Sequence, residues 1–318
     1  MRFSVIIPLY NKAPYVEKAL SSVLNQTYSD YELIVVDDGS TDNSFSIVKD
    51  FTESKFKEGG VSIIQQANAG VSAARNCGVS ASHGDYLCFL DADDWWEPMF
   101  LEEASSLIGK YPNAGIYGTG YHIVKNGRSR VAPVGVEDSF DDGIINYCKV
   151  YAKTLCMPLW TGAVCMPRRV YEEFGGFRPH LKLGEDFDLW IKVALKYPVA
   201  FLNKPLSNYN QDVDVTFRGT HRLHDPKVHM LWNLDYLEKE EESNPEYKQL
   251  IDNLRTYGLL PYYLSKEYHR AAKDLLSKVD WTMQSNKWRR IYKFPVFFLK
   301  IRKRFLNLGS KMKQWMNH

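Results

Sequence analysis

Strand-like and helix-like segments alternate at least three times in the first hundred residues, and few architectures accommodate that order. Residues 3 to 9 (Phe-Ser-Val-Ile-Ile-Pro-Leu) read as a buried strand, and Pro14 to Asn25 as a helix with Val16, Ala19, Leu20 and Val23 on one stripe. Tyr31 to Val36 is a second strand. The turn Asp37 to Asp42 then offers Asp and Ser side chains to cap a helix running to about Phe51. Val61 to Gln66, Val71 to Ser80 and Tyr86 to Leu90 continue as strand, helix and strand. Such alternation predicts an α/β fold, a mostly parallel sheet with helices on both faces. Ligands of these sheets bind beyond the carboxyl ends of the strands. Tyr10, Asp37, Asp38 and Asp91 to Asp94 all fall at such ends and should converge on one crevice.

The fourth strand runs straight into Asp91-Ala92-Asp93-Asp94. In an extended chain Asp91 and Asp93 point to one face, so both reach one ion while Asp94 points away. Clustered carboxylates are relieved by a divalent cation, and oxygen-only ligation favours Mg, Mn or Ca over Zn or Cu. A solvated acidic turn is the plainer reading of these residues alone.

Further along, Ala114 to Val134 is strand-like with a Lys125-Asn126-Gly127 turn, and Thr161 to Met166 and Val199 to Tyr209 are further strand candidates. Gly184-Glu185-Asp186 opens a helix to about Lys196. Beyond residue 220 the pattern reads as helix throughout: His224 to Glu241, Glu246 to Leu264 and Arg270 to Lys278. The 318 residues are 45% hydrophobic and 25% charged, as in soluble globular proteins. Five cysteines lack CxxC spacing and come in an odd number, so reduced, mostly buried thiols are expected. No secretory signal is visible, and no run reaches the roughly 18 to 20 apolar residues of a spanning helix. A cytoplasmic protein is the expectation.

Taken in order, Val5 to Asn11, Gln26-Thr27-Tyr28, Glu32 to Asp42, Asn68-Ala69-Gly70, Ala74-Arg75-Asn76, Asp91-Ala92-Asp93-Asp94 and Gly184-Glu185-Asp186 resemble the motifs of family 2 glycosyltransferases. The likeness covers roughly residues 1 to 210. It implies a GT-A fold, a nucleotide-diphospho-sugar donor with uridine the first choice of base, and inversion at the anomeric carbon. Carried over by position, Pro8 and Tyr10 would line the base pocket and Asp38 would accept a hydrogen bond from the base. Asp91, with Ala92 beside it, would lie near the ribose or the metal, Asp93 would bind Mn2+ or Mg2+, and Asp186 would be the catalytic base. Relatives often follow the last core strand with a Tyr-Arg-x-His-like segment on the diphosphate; here Tyr209-Asn210-Gln211-Asp212 stands there, with Arg218 and His221 only later.

The chemistry agrees with these roles. A leaving diphosphate needs charge stabilisation, and a single base then activates the acceptor hydroxyl. Asp186 lies in the first turn of its helix, where the dipole favours an ionised acid; acids are also common there for no catalytic reason. Glu185 is the fallback base. Arg75 suits either a phosphate or a structural ion pair with the crevice acids. Trp160 and Trp190 are candidates for stacking on an acceptor sugar, against the commoner alternative of core packing. A catalytically silent nucleotide-sugar-binding homologue is the alternative to an enzyme, disfavoured by the intact Asp91, Asp93 and Asp186.

Charge divides the chain. After Asp280 there is no acid and there are ten cations, which leaves 30 basic against 38 acidic residues, a net of −8, for residues 1 to 280. Residues 287 to 313 interleave those cations with Trp288, Ile291, Phe294, Phe297, Phe298 and other apolar residues, the composition of a helix lying in anionic headgroups, broken at Pro295. Packing onto the body and binding nucleic acid are the competing readings, the last without any accompanying motif. The expected organisation is a catalytic domain over residues 1–215 (1–110 for the nucleotide-sugar, 111–215 towards the acceptor), a helical extension over 216–280 and a basic tail over 281–318. That tail leads to the expectation of a protein peripheral to the inner face of the plasma membrane, and the tail together with the family resemblance implies a glycan or lipid-linked acceptor and no nucleic acid.

Overall fold

The computed structural model describes residues 1–56, 60–214, 223–297 and 299. Its centre is a ten-stranded mixed sheet of β1 (Phe3–Leu9), β2 (Tyr31–Asp37), β3 (Val61–Gln65), β4 (Tyr86–Phe89), β5 (Trp95–Trp96), β6 (Ile116–Lys125), β7 (Arg128–Val131), β8 (Asp142–Ile145), β9 (Val164–Pro167) and β10 (Val199–Asn210). The order along the sheet is β3-β2-β1-β4-β9-β6-β10-β5, with β7 beside β6 and β8 beside β10. β3, β2, β1 and β4 are mutually parallel, and β9 runs antiparallel between β4 and β6. Each parallel neighbour must be reached by a crossover, so this half interleaves with α1 (Val16–Leu24), α2 (Ser44–Lys55) and α3 (Val71–Ser80).

Both faces of β1 are buried, which explains its nearly continuous apolar run, interrupted at Ser4. Val5, Ile7 and Leu9 join Val16, Leu20 and Val23 of α1 and Phe100, Leu101 and Leu107 of α4 (Phe100–Lys110) in one core. On the other face α3 lies so close that a side chain at Gly78 would meet Ile6 and Val36. There, too, Phe89 packs edge-on against Phe177 and tilted against Trp190. Three more helices complete this part: α5 (Tyr147–Thr154), α6 (Arg168–Glu173) and α7 (Glu185–Lys196).

Register places the ends of the parallel strands together. Leu9 stands opposite Asp37 and Asp37 opposite Gln65, while Leu90 donates its N–H to Ile6 at 3.0 Å. The Asn11 side-chain oxygen accepts the N–H of Thr41 at 2.8 Å, and the Ser44 hydroxyl accepts the N–H of Lys12 at 2.8 Å. These contacts lash the loop after β1 to the loop after β2, a structural reason for the Tyr10-Asn11 and Asp37 to Asp42 sequences. Asn11 takes a left-handed φ of 50°, which asparagine tolerates better than most residues.

By its internal contacts the chain divides into two compact units, one of Met1–His224 with Val228–Met230 and one of Asp225–Lys227 with the chain from Leu231. The second contains α8 (Glu238–Ser243), α9 (Pro245–Gly258), α10 (Leu260–Tyr263), α11 (His269–Leu276) and α12 (Asn286–Lys293). The continuous helix expected over His224 to Glu241 is instead three short 3-10 turns followed by α8. Asn233 is one reason, because its amide donates to the carbonyls of Pro226 and Lys227 that a helix would need. The helix expected from Glu246 starts one residue earlier, with Asn244 as cap and Pro245 in the first turn. The start of the expected tail also belongs to this unit. Tyr292 of α12 donates its hydroxyl to the Thr256 carbonyl at 2.8 Å and packs on Tyr263. α12 stops before Pro295, as expected. Residues 301–318 lie outside the described residues, and among those described no helix is long and apolar enough to cross a membrane.

Candidate active site

Arg75 is the hub of the crevice. It leaves α3 with 3% of its surface exposed and donates to Asp91 Oδ1 at 2.7 Å and to Glu185 Oε1 at 3.1 Å. Burial works against its charge, and Asp91 and Glu185 more than offset that, so the guanidinium is held firmly protonated. The ion pair with the crevice acids, one of the two roles open in the sequence, is present. It ties the end of β4 to the start of α7.

The acids beyond β4 differ from the extended geometry expected. Asp94 donates its N–H back to the Asp91 carbonyl at 2.9 Å, so the segment closes a turn. Asp94 does point away: it is buried, accepting the Asn210 N–H at 2.8 Å and the Trp160 indole N–H at 3.2 Å. Burial, then the charges of Asp93 and Asp91, push its carboxyl well above the usual range. Asp93 accepts the Lys12 ammonium at 2.5 Å. Its carboxyl is raised by burial and by Asp91, against the pull of Lys12.

No group of three or more His, Cys, Asp or Glu is gathered for a metal among the described residues. A cation of the Mg2+ or Mn2+ type is commonly held by one or two carboxylates together with substrate phosphates rather than by a protein cage. Asp93 and Asp91 are hard oxygen donors, and the charge of Asp91 adds to the rise of the Asp93 carboxyl.

Asp186 occupies the second position of α7. Its Oδ2 accepts the Thr161 hydroxyl at 3.0 Å and its Oδ1 accepts the Phe187 N–H at 2.7 Å. Burial pushes its carboxyl above the usual range; Arg75, the Phe187 N–H and Thr161 pull it down, and Asp91 adds to the rise. The helix dipole alone led to the opposite expectation. A raised pKa suits a general base, since it strengthens proton affinity near the working pH. Gly184 before it has φ +79°, and a β-carbon there would overlap Met230, so glycine is required on both counts.

At the other end, Asp38 accepts the Gln66 amide at 2.7 Å and the N–H groups of Ala69 and Gly70 at 2.9 and 2.8 Å. About one of its four lone-pair positions is left for a further donor. Tyr10 is 45% exposed at the strand end, whereas Pro8 is buried within β1.

Trp190 and Glu185 differ from the roles expected of them. Trp190 is 0% exposed, packed against Phe89 and Phe177, and is unavailable to an acceptor. Ala92, beside Asp91, is buried, with its methyl in the core. Glu185, bound to Arg75, is committed to the hub rather than poised as a second base. Trp160 is half-buried, stacked on Tyr121 and close to Tyr209. Arg218 and His221 lie outside the described residues. Sequence reasoning missed Lys12 and Thr161; the position of Lys12 directly after Asn11, in the loop that must cross the crevice, was the available signal.

The sheet and its strand-end acids define a GT-A fold of the nucleotide-diphospho-sugar transferase type. S. aureus TarS 1-349, solved in complex with UDP-GlcNAc, superposes with a TM-score of 0.72 at 20% identity over 88% of this chain and 82% of that one. A mannosyltransferase from Pyrobaculum calidifontis, solved with GDP-Man and Mn2+, does so with a TM-score of 0.58 at 17% identity over 98% and 82%. In sequence, Glycosyl transferase family 2 matches residues 4–153 and Glycosyl transferase family group 2 matches residues 86–222. Over residues 4–153, just under half of the chain, the sequence is that of a family 2 glycosyltransferase domain. Glycosyltransferase GlyA of Streptococcus pneumoniae serotype 4 is 43% identical over 110 residues, 35% of this chain and 15% of that protein. The chain spans 15% of GlyA, 37% of a glycosyltransferase of Nostoc sp. and 49% of one of Rickettsia conorii, so it matches only part of each.

Proposed function

We propose that this protein moves one sugar from a nucleotide-diphospho-sugar, a UDP-sugar first, to a hydroxyl of a glycan acceptor with inversion of the anomeric carbon. The observation that carries the reading is the Asp93–Asp91–Arg75–Glu185–Asp186 line of charge, which links the strand-end acids to the partly buried Asp186 carboxylate, oriented by Thr161. Tyr10 and the remaining acceptor position of Asp38 receive the base. Asp93 with Asp91 would hold Mn2+ or Mg2+, whose contribution when bound is to stabilise charge on the departing diphosphate. Asp186 takes the proton of the acceptor hydroxyl as that oxygen attacks from the face opposite the diphosphate. With Asp186 as the base, the transfer is a single displacement. Trp160, held by Asp94 and backed by Tyr121, offers a ring face to the acceptor sugar.

The acceptor we favour is a lipid-linked oligosaccharide at the inner face of the plasma membrane. Exposed Phe294 and Phe297 beside exposed Lys287, Arg290 and Lys293 support contact with an anionic surface. One assay tests both parts. Protein supplied with UDP-sugars and lipid-linked glycans in anionic vesicles should yield a product of inverted anomeric configuration by NMR, faster than in neutral vesicles. A retained configuration would refute the single displacement, and equal rates in both vesicles would refute the membrane role.

A further inference from the structure

Five carboxylates reach the crevice from three directions: Asp38, Asp91, Asp93, Glu185 and Asp186. Lys12 and Arg75, the cations among them, are already engaged by Asp93, Asp91 and Glu185. A donor diphosphate entering beside these acids needs a positive charge that is not already engaged, or repulsion opposes it.

Lys182 supplies one. Its ammonium lies directly over Gly70, so close that a β-carbon on that glycine would come within 2.8 Å of it. Gly70 opens α3 with φ +95°, a conformation suited to glycine, and no side chain caps that end of the helix. The lysine is exposed and has no acidic partner among the described residues. Its backbone is fixed all the same. Its N–H donates to the Val228 carbonyl at 2.8 Å, and the next residue, Leu183, accepts the Met230 N–H at 3.0 Å.

Position decides what such a charge can serve. Gly70 donates its N–H to Asp38, the residue proposed to meet the base. Lys182 also stands four residues before Asp186, the proposed base towards the acceptor. A diphosphate joins nucleoside to sugar and must run from the first of these towards the second. We propose that Lys182 contacts the donor diphosphate and is a specificity-determining cation for the phosphate portion of the donor. The start of α3 beneath it adds the favourable end of a helix dipole. This rests on the nucleotide-sugar reading above.

Calorimetric titration of the full chain with UDP, GDP, CDP and dTDP, and with the matching nucleosides, tests it in wild type, Lys182→Met and Lys182→Arg. Losing one charge-assisted contact should weaken the bound diphosphate by about tenfold or more. The nucleoside affinity should stay unchanged, and Lys182→Arg should restore part of the loss. Equal diphosphate affinity in Lys182→Met and wild type overturns the assignment, as does an equal loss for diphosphate and nucleoside, which would mark a structural role. A wild type that binds none of the four diphosphates overturns the donor reading itself, and this one with it.

Discussion

Asp186→Asn is expected to lower turnover by about 10²- to 10⁴-fold, the usual worth of a general base. The amide keeps the size of the side chain and can still accept the Thr161 hydroxyl, so donor affinity should hold within about twofold. Steady-state rates beside donor titration separate the two effects. A pH profile adds a second reading of the same residue. The base must be ionised to act, and burial raises its pKa above the ordinary carboxylate value. Activity should therefore fall as pH drops through that raised pKa, at higher pH than an unperturbed aspartate would give, and the limb should vanish from the residual activity of Asp186→Asn. Wild-type turnover in the variant would remove Asp186 from the mechanism.

Arg75→Met should cost about 3 to 5 kcal/mol of folding stability, the usual penalty for breaking a buried pair from one side. Methionine fills most of the volume but leaves Glu185 and Asp91 without their counter-charge. The loss has a pH signature. With Arg75 gone, Glu185 is held above the usual range by burial and by Asp186, with no cation to oppose them. A carboxyl whose folded pKa is raised costs stability as pH rises past its unfolded value, so the variant should regain stability under mildly acidic conditions. Urea unfolding at two pH values checks both statements. A loss below about 1 kcal/mol would mean that the hub is an exposed, screened pair and not the strut of the crevice.

The parallel half of the fold was legible because its signals are local. Apolar strands alternate with amphipathic helices, and Val71 to Ser80 forms α3 with the bounds expected from its pattern. The acids at strand ends were legible for the same reason, since strand direction alone puts them at one edge. What each acid touches was not legible. Asp91 and Arg75 are 16 residues apart, Arg75 and Glu185 110, and Lys12 and Asp93 81, so no window of sequence displays these pairs. The direction of the Asp186 shift was missed because burial, a tertiary property, outweighs the helix dipole. Trp190 went the way of most large aromatics beside a sheet, into the core. The helix expected over His224 to Glu241 failed on one asparagine bonding back to carbonyls six and seven residues earlier.

The most direct test of the central claim is calorimetric titration of UDP into the wild-type protein with Mn2+ and after chelation, alongside Asp93→Ala. If Asp93 and the donor diphosphate hold the cation together, UDP binds about tenfold or more tightly with Mn2+ than without, and Asp93→Ala loses that gain while its metal-free affinity is kept. UDP affinity that is the same with and without metal, or a Mn2+ enhancement that survives in Asp93→Ala, would contradict the site described for this chain.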